Sequence, residues 1–136
     1  MIYTSKLLFT LFISVFFHTH LTPQTARECT IRIHGFDSDK GKAFIKVLDS
    51  SNKTLKTSIL SITDKQVMYK IDVTGHTKIA VQVFHDANNN KKLDKNIFGA
   101  PSEPWGISGE TRPSLRAPTL AEMLVSIQKD IQITVK

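Results

Sequence analysis

The chain reads as an all-β protein, an antiparallel sandwich of about seven strands carrying one long loop at residues 85–118. Apolar and polar residues alternate with period two through most of it, which marks half-buried strands. Turn-forming runs interrupt the alternation at short spacing, and no long helical pattern follows the first segment.

That first segment is an address. Lys6 gives a positive start and Leu7 to Phe17 is an apolar run of signal-peptide length. It falls short of the about 20 apolar residues that a permanent spanning helix needs. Cleavage is placed between His20 and Arg27, with Ala26 the best small residue there, so 1–26 is assigned as signal peptide and 27–136 as a single domain. An uncleaved anchor is the alternative. After cleavage no transmembrane segment is expected, and the protein is exported, periplasmic or extracellular.

The chain carries 18 basic and 12 acidic residues, and removal of Lys6 leaves 17 against 12, a mature charge of +5. The single cysteine, Cys29, forms no internal disulfide, so packing must hold the domain together.

Cys29, Ile31 and Ile33 alternate with Thr30, Arg32 and His34 in the first strand. Asp37-Ser38-Asp39-Lys40-Gly41 turns the chain into a second, where Ala43, Ile45 and Val47 face inward. Its other face, with Phe44 and Leu48, is more apolar than an outer face usually is. Ser50 to Lys53 is another turn, and Leu55 to Ile62 gives one or two short strands near an edge. Val67, Tyr69, Ile71 and Val73 alternate cleanly, closed by Thr74-Gly75. Ile79, Val81 and Val83 follow, with Ala80, Gln82 and Phe84 opposite. Pro118 to Glu122 has room for one helical turn, and Met123–Gln128 and Ile131–Val135 read as the last strands. The expected core is Ile31, Ile33, Ile45, Val47, Tyr69, Ile71, Ile79, Val81, Val83, Val125, Ile131 and Ile133.

The chemistry concentrates at Val83–Trp105. Side-chain oxygens recur at Asp86, Asn88 and Asn90, and Asp94 follows; these are positions 1, 3, 5 and 9 of a calcium-type loop, with the Lys92 carbonyl at position 7. Alternate side chains of a curled loop turn inward, which brings several oxygens to one hard cation. The glutamate usual at position 12 is replaced by Ile97, and Glu103 is the nearest downstream acid. Lys91, Lys92 and Lys95 oppose a cation. Bound calcium would fall in the weak class, at about 10⁻⁴–10⁻³ M. The alternative is a polar loop whose Asn and Asp side chains cap their own backbone in Asx-turns.

This stretch resembles an exported bacterial family known as domain of unknown function 2141. The residues that carry the resemblance are Phe84, His85, Asp86, Asn88, Asn90 and Asp94, then Phe98-Gly99, Pro101 and Glu103, then Trp105-Gly106-Ile107-Ser108 and Pro118. Three positions depart from the family pattern. Lys91 replaces a glycine, Thr74-Gly75-His76-Thr77 replaces Pro-Gly-x-Tyr, and Glu122 or Met123 replaces an alanine. The resemblance implies an immunoglobulin-like or prealbumin-like sandwich in an exported bacterial protein, and it implies no activity.

Trp105, the sole tryptophan, sits in a proline-stiffened segment with Arg112 and Arg116. The three would form a ligand site for a sugar ring or an anion; the alternative is a Trp105 that plugs the end of the sandwich. His85 beside Asp86 invites acid–base chemistry, but a strand-end histidine bonded to a carbonyl is the simpler state. No phosphate-cradling loop, His-Glu-x-x-His or nucleophile elbow is present, and scattered lysines without interleaved aromatics argue against nucleic acid.

These observations point to a non-enzymatic module that binds or scaffolds at the cell envelope, its partner an envelope polymer or another exported protein. A small-ligand or glycan-binding module using Trp105 is the second reading. A hydrolase built on Asp86, Asp94 and Glu103 is the third. A Trp105 beside a concave surface favours the second; carboxylates paired in a pocket favour the third.

Overall fold

Alternation becomes strand over nearly the whole length of the computed structural model, which describes residues 26–113, 116–128 and 130–136. The assigned signal peptide lies outside the described residues except for Ala26. Eight strands form among those residues: β1 (Glu28–His34), β2 (Lys42–Asp49), β3 (Thr54–Leu60), β4 (Gln66–Asp72), β5 (Lys78–Asp86), β6 (Trp105–Ile107), β7 (Leu124–Ser126) and β8 (Asp130–Thr134). One helical turn, α1 (Leu120–Met123), precedes β7. Among the described residues no helix is long and apolar enough to cross a membrane.

The strands make two sheets, β4–β1–β8 and β3–β2–β5–β6, with β7 also on β5. Every pair is antiparallel except β1 and β8, which run parallel with Ile31 opposite Ile131. The parallel pair arises because β8 is not reached through a hairpin from β1. The chain leaves β7 in one sheet and crosses to the other.

One apolar core joins the sheets, with Ile31, Ile33, Val67 and Ile133 on one side and Ile45, Val47, Val81 and Val83 on the other. Each such side chain, fully buried, contributes about 1.5–3 kcal/mol relative to exposure. Tyr69 and Val125 are only half-buried. Tyr69 sits at the open edge, where its hydroxyl meets the Ser58 hydroxyl at 2.9 Å. Phe36, in the turn after β1, joins the core instead.

The expected loop 85–118 is divided. His85 and Asp86 extend β5, and Trp105-Gly106-Ile107 forms β6. Three local devices hold β6. Trp105 exchanges both backbone hydrogen bonds with Lys136 at 3.2 Å, tying this edge to the opposite sheet. Gly106 lies so close to β8 that a Cβ there would stand 2.5 Å from the Thr134 carbonyl oxygen. Ser108 repairs a gap: β5 pairs with β6 through Gln82–Phe84 and with β7 through Lys78–Ala80, which leaves Val81 between them. The fully buried Ser108 hydroxyl accepts the Val81 N–H at 2.7 Å and donates to the Met123 carbonyl at 2.5 Å.

The helical turn follows from its cap. Thr119 and Glu122 form a reciprocal capping box, in which the Thr119 hydroxyl takes the Glu122 N–H and the Glu122 carboxylate takes the Thr119 N–H. Met123, Leu120 and Leu124 then cover Leu48, Ala80 and Ile107 on the outer face of the larger sheet.

Candidate functional site

The loop after β5 is wound on its own hydrogen bonds. Asp86, 1 % exposed, accepts the Asn90 N–H at 3.0 Å and the Lys91 N–H at 2.9 Å. Asn88 and Asn90 form successive Asx-turns, their amide oxygens taking the N–H groups of Asn90 at 3.0 Å and Lys92 at 2.8 Å. Those bonds fix the amide orientations, so the NH₂ groups of Asn88 and Asn90 point at the Asp94 carboxylate, at 2.6 and 2.9 Å. Glu103 folds back and accepts the Ala87 N–H at 3.0 Å and the Asp94 N–H at 3.1 Å. It staples the start of the loop to its return. Lys91, where the family pattern has glycine, sits at φ 63°, and the bond from its N–H to Asp86 holds it there.

This arrangement has the hydrogen-bond pattern of the Asx-turn alternative. Asp86, Asn88, Asn90, Lys92 and Asp94 are brought together, but amide N–H donors face Asp94 where cation ligands would present oxygens. Each carboxylate oxygen of Asp86, Asp94 and Glu103 already receives a donor. Among the described residues no three His, Cys, Asp or Glu side chains gather in metal-binding geometry.

His85 is buried edge-on against Phe36, and its Nε2 lies 2.7 Å from the Lys40 carbonyl oxygen. With Nδ1 unpartnered in the interior, Nε2 carries the proton and donates it. Cys29 is fully buried, and burial pushes its thiol up, away from the reactive thiolate. Neither residue reaches a cleft.

A cleft of about 600 Å³ opens on the outer face of the larger sheet. Its floor follows from register. Phe44 lies opposite Phe84, and Phe84 opposite Trp105, so three aromatics form one row across β2, β5 and β6. The Phe44 and Phe84 rings stack at 4.8 Å. The next row is Lys46, Gln82 and Ile107. The turn at 95–101 forms one wall, with Lys95 bridged to Pro101 and Phe98 at the lip; Pro113 and Arg116 to Pro118 form another. Among the described residues no carboxylate, histidine, cysteine or hydroxyl side chain lines it.

Of the expected ligand residues, Trp105 and Arg112 meet directly, the guanidinium 4.0 Å from the ring centroid. Arg112 also donates to the Lys136 carbonyl at 2.7 Å. Arg116 lines the cleft, but both its terminal nitrogens bond Glu122, at 2.5 and 2.8 Å. That pairing raises the Arg116 guanidinium above its ordinary range; with the Thr119 cap it holds the Glu122 carboxyl at about 2. Trp105 is half-buried between the second apolar cluster and the cleft. Sequence reasoning left out Phe44, Lys46, Phe84, Lys95 and Phe98 as site residues. The apolar outer positions of the second and fifth strands were the signal for Phe44 and Phe84.

A family model described as "Uncharacterized protein conserved in bacteria (DUF2141)" matches residues 26–134. No curated protein and no solved structure matches the chain.

Proposed function

The chain belongs to this family of uncharacterized bacterial proteins, DUF2141, and we propose that it is an exported, non-enzymatic module whose outer cleft binds a small ligand at the cell envelope. The observation that carries the reading is the aromatic row Phe44–Phe84–Trp105 lying open in a concave surface of about 600 Å³. Such a volume is in the range of small-molecule sites, and an apolar lining with a few polar groups is their usual make-up. That no described residue of the cleft lining is a carboxylate, imidazole, thiol or hydroxyl supports binding over hydrolysis, since these residues offer no acid–base pair or activated nucleophile. The preponderance of apolar lining favours an apolar or aromatic ligand over a glycan, which would need more fixed polar partners. In this reading the Asp86–Asp94 loop and Glu103 are a hydrogen-bonded brace for the wall at 95–101.

The sole tryptophan is a built-in reporter. Titration with small apolar and aromatic compounds, followed by Trp105 fluorescence, should give saturable changes that Phe84→Ala weakens. Compounds that bind without perturbing Trp105 or amide resonances of Phe44 and Phe84 would refute the cleft. The scaffolding reading has one observation in its favour: Ile97, 92 % exposed, stands beside Phe98 at a loop tip. Ile97→Ser should weaken such a docking contact and leave a cleft ligand unaffected.

A further inference from the structure

We infer, resting on the cleft reading above, that the ligand is an amphipathic anion, its apolar body on the aromatic row and its acidic head at Lys46 and Lys95. Among the described residues three cations line the cleft, Lys46, Lys95 and Arg116, and no carboxylate does. Only Arg116 is neutralised, by Glu122. Among the described residues neither lysine has an acidic partner within ion-pair distance. The acid next to Lys95 in sequence, Asp94, is occupied by the amides of Asn88 and Asn90. Lys46 stands beside Phe44 along β2, opposite Gln82, whose amide is turned to the Met123 sulfur. Lys95 belongs to the turn at 95–101 that walls the same cleft.

Two lysines that line one apolar cleft attract an anionic head seated there more strongly than they would in open water, because apolar walls lower the local dielectric. A bare inorganic anion has no use for the aromatic floor and keeps its hydration. A neutral hydrophobe has no use for the lysines. Phe98 is 87 % exposed although it lines the cleft, and a seated alkyl or aryl body would cover area that no described residue covers. Long-chain carboxylates and aryl sulfonates share this chemistry.

The test uses the mature protein with dodecanoate, dodecanol and dodecyltrimethylammonium below their micellar concentrations, read by Trp105 fluorescence. Dodecanoate should bind at least about tenfold more tightly than dodecanol, and the cation should not compete. Lys46→Gln and Lys95→Gln should each weaken dodecanoate about fivefold to tenfold and leave dodecanol unchanged. Lys70→Gln, on β4 of the other sheet, should change neither. Added salt should erode the preference. Equal affinity for dodecanoate and dodecanol, or equal loss of both in the lysine variants, would overturn the anion site while leaving an apolar cleft. Binding of none of the three, with 8-anilinonaphthalene-1-sulfonate also silent, would remove both readings.

Discussion

Replacing Asp86 by Ala separates a hydrogen-bonded brace from a cation site. The carboxylate is 1 % exposed and accepts two backbone N–H groups, from Asn90 and Lys91. Hydrogen bonds to a charged acceptor contribute about 1.5–3 kcal/mol each, which puts the ceiling of the loss at roughly 3–6 kcal/mol. Two effects reduce it. Asn90 and Lys91 are exposed, so water can take over their N–H groups, and the variant no longer buries a carboxylate. The net loss should be about 2 kcal/mol, which in a domain of this size lowers the thermal midpoint by roughly 8–10 °C. Asp86→Asn keeps one acceptor oxygen and should lose about half as much. The assay is a thermal or urea melt of each protein in calcium and in chelator. The brace requires the same loss in both, and no calcium effect on the parent. A parent that gains several degrees in calcium, with Asp86→Ala matching it in chelator, would refute the reasoning and restore the cation loop.

Two further outcomes follow from single contacts. Ser108→Ala leaves the Val81 N–H and the Met123 carbonyl buried without their partner, so urea melts should show a loss of about 1–3 kcal/mol; an unchanged midpoint would mean that β6 and β7 close the gap by themselves. The Glu122 carboxyl, held at about 2 by Arg116 and then by the Thr119 cap, ordinarily titrates near 4.5. The folded value is the lower one, so the unfolded chain takes the proton first: the stabilisation is complete above about pH 4.5 and is lost as pH falls towards 2. Carboxyl carbon shifts should follow that titration, and Arg116→Ala should move it upward; an unmoved titration would sever the link to Arg116.

The strands were legible where alternation runs for several residues, as in Ile31–Ile33, Ala43–Val47 and Ile79–Val83, because a half-buried sheet rewards period two directly. The helical turn was legible from Pro118 to Glu122, although Leu120–Met123 is the part that forms. β6 was not, since three residues cannot show a period and Pro104 directly precedes them. The parallel pairing of β1 and β8 depends on the crossover from β7, which no local pattern encodes. Phe36 was missed because a turn residue carries no facing rule; its place against His85 is tertiary.

The cleft was half legible, for a physical reason that also ties it to stability. Phe44 and Phe84 stood out as apolar residues on an outer face, but their alignment with Trp105 is a matter of register among three strands. A slip of one residue in β6 would turn Trp105 to the opposite face and break the row. The register of β6 is set by contacts remote from any ligand: Trp105 with Lys136, Gly106 against the Thr134 carbonyl, and Ser108 in the gap at Val81. The strongest marks in the sequence, the Asp86–Asp94 run and Trp105-Gly106-Ile107-Ser108, therefore act on the site by fixing its wall and its floor. The residues that the proposed binding reading uses, Lys46, Phe44 and Phe84, lie on plain strands, where the apolar outer positions Phe44 and Phe84 are the one local signal. In a fold of this kind a conspicuous motif indicates where the backbone is pinned, and the binding surface is the strand face which that pin aligns.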